Sequence, residues 1–242
     1  MDVDYNRIAG NYEIYRTANS SIIDYFAEEI PLDDKVILDF GCGTGNYTFA
    51  IRSLTNAQIY GVEPSDNMRL RALEKRLDVR KGDHHYIPFD DNFFDFIYMT
   101  DVIHHVPDLT VMFGELNRVL KPGGLVCIFT ESHEQLATRY WVKYFPTTVS
   151  VEQKRYPDIP VIIETASANG FLKNKIINTD CEQEVELTEK FIALVENKGY
   201  SMFHLIAEDD FQKGLESLKK DFSNGIEISC CHGKTLVWLK KG

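Results

Sequence analysis

No stretch of this chain stays apolar long enough to cross a bilayer, which argues against a protein built on membrane-spanning helices. Positive charge is in short supply: 26 Lys and Arg face 37 Asp and Glu, a net charge of −11. Such a surface repels polyanions, so DNA, long RNA and anionic membranes are not expected partners. Cysteines number five and are irregularly placed (Cys42, Cys127, Cys181, Cys230, Cys231), with no Cys-x-x-Cys pair. That pattern argues against a disulfide framework or a structural zinc and suits reduced thiols in a cytosol. The opening residues Met1-Asp2-Val3-Asp4-Tyr5 lack a basic segment followed by an apolar one, so no secretory leader is expected, and a cytoplasmic location is. Internal repeats and low-complexity tracts are absent too, leaving one domain as the expectation for 242 residues.

What is present is a balance of 44% hydrophobic and 26% charged residues, ordinary for a globular protein. Short apolar runs alternate with helical patterns over residues 36–130, which predicts a parallel sheet with helices on both faces. Strands are expected at Val36–Phe40, Gln58–Glu63, Asp78–Lys81, Phe94–Met99 and Leu125–Phe129. Helices are expected from Asn46 to Ser53, after the cap Ser65, and from Leu109 to Leu120, the last one stopped by Lys121-Pro122-Gly123-Gly124. Beyond Thr130 the rhythm changes. Residues 132–145 look helical, and Pro146, Pro157 and Pro160 make 146–160 read as a loop. Phe171–Thr179 reads as a strand, 187–222 as two helices split near Gly199, and Thr235–Leu239 as the last strand.

The chemistry-bearing segment is Asp39-Phe40-Gly41-Cys42-Gly43-Thr44-Gly45, between a strand and a helix. Glycines let the backbone approach a ligand closely, and the helix N-terminus supplies free N–H groups. The spacing is G-x-G-x-G with Asn46 where a dinucleotide fingerprint would carry its third glycine, which argues against a nicotinamide-linked reductase. Glu63 ends the second strand, where a carboxylate can accept both hydroxyls of a ribose. Asp83 follows the third strand in Lys81-Gly82-Asp83-His84, placed to accept an adenine amino group. Three acids at the carboxyl ends of successive strands converge on the crevice where open α/β sheets bind ligands.

Five ordered segments now carry a resemblance: Val36–Asn46, Val62-Glu63-Pro64-Ser65, Gly82-Asp83 to Pro88-Phe89, Phe94-Asp95-Phe96-Ile97 to His104-His105-Val106, and Leu120-Lys121-Pro122-Gly123-Gly124. Together they resemble the class I S-adenosylmethionine (SAM)-dependent methyltransferases, most closely the type 11 small-molecule group. The resemblance implies a Rossmann-like α/β fold: a seven-stranded, mostly parallel sheet with helices on both faces, an antiparallel last strand and helical cap insertions. It implies one domain over 1–242: an N-terminal cap at 1–30, a SAM-binding core at 31–131, and substrate-side insertions at 132–165 and 180–230. It also assigns roles. Gly41, Gly43 and Gly45 would form the loop on the methionine side, and Asp39 would orient that loop and the amino group. Glu63 would hold the ribose, Asp83 the adenine, and the His84 backbone a ring nitrogen, with Thr100 beside the methionine. Phe40 and the His84-His85 pair depart from the commoner residues.

A small-molecule methyl acceptor is the expectation, since no Asp/Asn-Pro-Pro-Tyr follows the fourth strand, where Thr100-Asp101-Val102-Ile103 stands. The alternatives are a tRNA or protein methyltransferase, or a non-catalytic SAM-binding protein; a monomer or homodimer is expected. Tyr12, Tyr15 and Trp141 are the candidate acceptor contacts, and Tyr5 and Arg16 belong to the same closing segment. His133, after the fifth strand, is the candidate general base, because its unperturbed pKa lies near neutrality. The pairs His84-His85 and His104-His105 read as loop and packing residues rather than a metal site, and Cys230-Cys231 as a strand or core pair.

Overall fold

The computed structural model describes residues 18–242, and Tyr5, Tyr12, Tyr15 and Arg16 lie outside them. Among the described residues the chain divides into two compact units. The larger holds residues 18–130, 160–177 and 236–242; the smaller holds 131–159 and 178–235.

The larger unit is organised by a sheet of seven strands: β1 (Val36–Phe40), β2 (Gln58–Val62), β3 (Asp78–Arg80), β4 (Phe94–Thr100), β5 (Leu120–Thr130), β6 (Phe171–Asn178) and β9 (Thr235–Lys241). Their order is β3-β2-β1-β4-β5-β9-β6, and β3, β2, β1, β4 and β5 run parallel. One strand of the sheet is antiparallel, as the Rossmann-like expectation required. Helices α1 (Ser20–Glu29), α2 (Asn46–Leu54), α3 (Asp66–Glu74), α4 (Leu109–Val119) and α7 (Ile159–Ala168) accompany it. Both faces are apolar because both are covered. Ile37, Phe96, Tyr98, Cys127, Phe129, Leu236 and Trp238 join Ile22, Ile23 and Phe26 of α1 and Ile51 of α2 in one cluster. The residues that alternate with them, Leu38, Ile97, Met99, Val126, Ile128 and Val237, are fully buried on the opposite face. The described part of the segment expected as a cap is therefore a core helix, with Phe26 edge-on to Phe96 and Trp238.

β5 begins earlier than its sequence suggests. Leu120 pairs with Phe94, but the next register pair is Leu125 with Phe96, so Lys121-Pro122-Gly123-Gly124 bulges out of the ladder. Proline lacks the N–H a ladder needs and Gly123 takes φ 75°, so the helix stop doubles as a bulge.

From the smaller unit's residues 146–159 into α7 of the larger unit, the proline-rich stretch is helical, correcting the loop expected at 146–160. α6 (Thr147–Arg155) starts directly after Pro146, and Pro160 is the second residue of α7. Proline's fixed φ suits a first helical turn, whose N–H groups have no intrahelical partner. Helix α5 (His133–Thr138) opens on a capping box built by Ser132 and Gln135. α8 (Glu189–Glu196) and α9 (Glu208–Ser223) are the two helices expected on either side of Gly199. A second sheet was not foreseen: β7 (Cys181–Glu186) and β8 (Glu227–His232) form an antiparallel ribbon. Cys230 and Cys231 lie in that ribbon, so they are strand residues but not core, since Cys231 is exposed. The unit's interior is aromatic. Phe145 packs 4.8 Å from Phe203 and 5.8 Å from Phe211, and Trp141 stacks on Tyr200 at 5.0 Å.

A buried ion network also sits there. Arg139 donates to both oxygens of Glu131 at 2.8 and 2.5 Å and to Glu152 at 2.8 Å. Lys234 adds a contact to Glu131 at 2.9 Å, and the guanidinium lies over the Trp141 and Tyr156 rings.

Candidate functional site

The loop after β1 is drawn onto β2 by its own backbone. Gly41 and Cys42 both donate to the Val62 carbonyl, at 2.8 and 3.1 Å. Three left-handed residues, Gly41, Gly43 and Gly45, take φ of 74°, 56° and 77° and turn the chain from strand into α2. They are not equivalent. A Cβ on Gly41 would stand 2.7 Å from both methyls of Val102, and one on Gly45 would overlap Leu77. Among the described residues a Cβ on Gly43 would meet nothing within 4 Å. Two glycines are thus demanded by packing, and the middle one borders open space. α2 begins with Gly45 as its N-cap, which brings no capping side chain, so the positive end of the helix dipole faces the loop.

Glu63 closes the floor of this space. It is 7% exposed, and its two oxygens accept from different N–H groups, Gly43 and Ser65, each at 2.9 Å. Each oxygen keeps a second lone pair, so the carboxylate can accept two further hydrogen bonds side by side. Burial raises its pKa, partly offset by the two backbone donors and by Arg69.

Asp39 lies beneath the loop, paired in register with Tyr98. Its carboxylate is 2% exposed and accepts from the Thr48 hydroxyl at 2.7 Å. Burial pushes its pKa up to about 7; the hydroxyls of Thr48 and Tyr98 pull it down, and Glu63 pushes it up again. Beside it, burial pushes the Cys42 thiol up as well, so the thiol stays protonated at neutral pH. Thr48 and Tyr98 are members of the site that the sequence did not single out. Register could have revealed Tyr98, which directly faces Asp39 in the parallel pair.

At the end of β3, Asp83 accepts from the His85 N–H at 2.8 Å through Oδ1, and its own N–H donates to the Tyr86 carbonyl. The His84 Nε2 is shielded from solvent and has no hydrogen-bond partner among the described residues. Burial and the neighbouring His85 lower the His84 pKa, favouring the neutral ring. Thr100 closes β4 beside Phe129 of β5, and Asp101 after it takes φ 56°, a left-handed turn that carries Val102 over Gly41. Asp39, the glycine loop and Glu63 are therefore tied into one assembly by hydrogen bonds and register, with Thr100 leading into the turn that reaches Gly41.

The family model for the methyltransferase domain matches residues 38–128, the stretch that builds this assembly. Residues 38–128 carry a methyltransferase domain of the class I SAM-dependent kind. S-adenosylmethionine is the cofactor of that domain. The chain is 36% identical over 101 residues to a sterol 24-C-methyltransferase of Schizosaccharomyces pombe, covering 38% of this chain and 27% of that protein. It is also 36% identical over 106 residues to a demethylmenaquinone methyltransferase of Staphylococcus aureus, covering 41% and 44%. It thus spans less than half the length of these curated relatives. Among solved structures, phosphoethanolamine N-methyltransferase 2 of Haemonchus contortus superposes with a TM-score of 0.61 at 20% identity, over 99% of this chain and 60% of that one. The Bacillus subtilis protein YcgJ gives 0.63 at 18% identity, over 92% and 99%. These likenesses establish a shared fold.

Two further candidates, His133 and Trp141, belong to the smaller unit. His133 is half-buried; its Nε2 lies 2.8 Å from the Tyr156 carbonyl, and its N–H donates to Asp158. A carbonyl only accepts, so Nε2 carries the ring proton and Nδ1 is the basic nitrogen. Trp141 is 8% exposed, edge-on to Tyr140 and stacked on Tyr200. Among the described residues no cluster of three or more His, Cys, Asp or Glu is arranged to hold a metal ion, and no helix is long and apolar enough to cross a membrane.

The glycine geometry yields a direct expectation. Gly45→Ala should lose about 1–3 kcal/mol of stability, because a side chain must be forced into Leu77 in a packed interior. Gly43→Ala should lose only about 1 kcal/mol, the cost of a left-handed alanine. Urea unfolding of both variants checks this, and equal losses would mean that Leu77 can move aside.

Proposed function

We propose that this chain transfers a methyl group from SAM to a small-molecule acceptor and releases S-adenosylhomocysteine (SAH). The observation that carries the reading is the Glu63 carboxylate, held by two backbone N–H groups, with a free lone pair on each oxygen, beside the open face of Gly43. That is the acceptor pair a vicinal ribose diol requires. In this reading Gly41, Gly43 and Gly45 shape the loop around the methionine portion and Asp39 sets its position from below. Asp83, with Oδ1 occupied by His85, offers Oδ2 to the adenine amino group. The His84 N–H reaches a ring nitrogen, and Thr100 borders the methionine chain.

The donor supplies a sulfonium that needs no further activation. Transfer is an in-line displacement: the acceptor atom bonds to the methyl carbon as the carbon–sulfur bond breaks, and that electron pair neutralises the sulfur. Catalysis then rests on alignment and, for an O–H or N–H acceptor, on removal of one proton. His133, with Nδ1 as its basic nitrogen, is the proposed base. Trp141, Tyr12 and Tyr15 are the proposed acceptor contacts. A small and apolar acceptor is supported by the curated relatives, named for sterol and demethylmenaquinone substrates, and by the net charge of −11, which disfavours nucleic acid.

Calorimetry with SAH tests the cofactor site. Glu63→Ala should weaken binding by about 1–3 kcal/mol, the cost of lost buried hydrogen bonds, or roughly 5- to 150-fold in Kd. Wild-type affinity in that variant would remove Glu63 from the site. Methyl incorporation into tRNA or protein that outpaces every metabolite tested would replace the small-molecule acceptor.

A further inference from the structure

Next to the glycine loop, the turn that ends α3 makes a set of contacts with it. Lys75 caps that helix, and its ammonium donates to the Thr44 carbonyl at 2.9 Å and to Asn46 Oδ1 at 2.7 Å. Asn46 is the first residue of α2, so a cation sits at the positive end of a helix dipole, where it is electrostatically disfavoured. The two oxygens offset that by accepting from it. The Thr44 hydroxyl, 3.4 Å from Asn46 Oδ1, ties the same residues together from within the loop.

The turn is itself braced. Arg76 adopts φ 57°, a left-handed conformation that ordinary side chains avoid. Arg52, reaching across from α2, donates to the Arg76 carbonyl at 2.5 Å and the Lys75 carbonyl at 3.0 Å. Leu77, the next residue, fills the space against Gly45 that any side chain there would need. Three consecutive residues therefore act on the loop or are held for it: Lys75 grips Thr44 and Asn46, Arg76 makes the bend, and Leu77 wedges Gly45.

We propose that Lys75 is a positioning residue for SAM, holding Thr44 and Asn46 so that the loop keeps the Gly43 geometry before the cofactor arrives. The proposal rests on the SAM reading of the loop. Lys75 contacts the Thr44 carbonyl and the Asn46 side chain, so it acts through preorganisation of the loop. Removing it lets Thr44 and the first turn of α2 relax, and SAM must then reorder them on binding, at the expense of affinity.

Two measurements on Lys75→Met and Lys75→Arg test this. SAH titration should show a Kd about tenfold or more higher for Lys75→Met. Lys75→Arg, which keeps a cationic donor for both oxygens, should recover most of the loss. Hydrogen exchange in the absence of ligand should show faster exchange at residues 43–48 of Lys75→Met, with β4 and α1 unchanged. A merely structural lysine would loosen the whole unit together. Should Lys75→Met fail to fold, Arg52→Met, which releases the same turn from behind, takes its place with the same expected signs. Unchanged SAH affinity in the variant, or uniform loosening of the unit, overturns the proposal. If the wild type itself binds no SAH, the cofactor reading falls, and exchange at residues 43–48 still decides whether Lys75 holds the loop.

Discussion

Replacing Arg139 by methionine is expected to destabilise the protein by about 3–5 kcal/mol, the scale for stripping one partner from a buried ion cluster. Arg139, Glu131 and Glu152 are 6%, 0% and 3% exposed, so neither carboxylate can turn to solvent when the guanidinium is gone. Lys234 still reaches Glu131, and Arg155 still reaches Glu152 at 2.7 Å, which sets the expectation towards the lower end of that range. Burial by itself would raise the Glu131 pKa; Lys234 and Arg139 outweigh it and hold the group down at about 2. A carboxylate depressed in this way contributes stability above its unfolded pKa near 4.5 and loses it as pH falls towards 2. In Lys234→Met and Arg139→Met the Glu131 pKa is depressed less, so that acid-side loss should be smaller and end at higher pH. Urea unfolding at neutral pH reads the first effect. The companion variant Glu131→Gln/Arg139→Met/Glu152→Gln should recover most of the loss, because no buried carboxylate is then left without its guanidinium, while Lys234 and Arg155 are partly exposed and can be solvated. A single Arg139→Met variant as stable as wild type would mean that the network contributes nothing.

The second large effect runs in the opposite direction along the pH axis. Asp39 has a folded pKa of about 7 against an ordinary value of 3.8. Between those values the folded protein holds a proton that the unfolded chain has released. Asp39 therefore favours the fold fully below pH 3.8, and its contribution drains away as pH rises to about 7. A difference of about three units corresponds to roughly 4 kcal/mol across that window. Glu63, also raised by burial, adds a loss of the same sign. Ligand-free wild type and Asp39→Asn should accordingly diverge in urea midpoint between pH 5 and 8, the wild type falling more steeply. Parallel pH profiles would show that Asp39 is ionised in the fold at low pH despite its burial.

The sheet and the loop were legible because their signals are local. The unbroken apolar run Phe96-Ile97-Tyr98-Met99, the spacing of Gly41, Gly43 and Gly45, and the acids that follow β2 and β3 each occupy a few adjacent positions. What escaped depends on partners remote in sequence or on position within a turn. Lys75 and Thr44, or Lys234 and Glu131, are separated by stretches that carry no period, so nothing marks them as neighbours. Pro146 and Pro160 read as loop residues because composition reports proline's dislike of helix interiors but not its fitness for first turns. The ribbon of β7 and β8 was hidden for a related reason: Cys181–Glu186 and Glu227–His232 are polar, and two helices separate them. In the sequence His133 is marked only by its residue type and its place after β5, and its contact with the Tyr156 carbonyl is what distinguishes one ring nitrogen from the other.

The place of β9 bears on how the chain reaches this state. β9 lies between β5 and β6, yet residues 179–234 separate β6 from it in sequence. During synthesis β5 and β6 emerge long before the strand that joins them, leaving two open edges that can recruit other chains. Trp238, stacked on Phe96 at 5.5 Å and edge-on to Phe26, is missing from the core for the same interval. Closure of the sheet is thus a late, long-range event whose rate is set by loop entropy more than by local propensity. Chaperone dependence and aggregation during expression should respond to substitutions in residues 235–241 more sharply than to equally buried ones in β1.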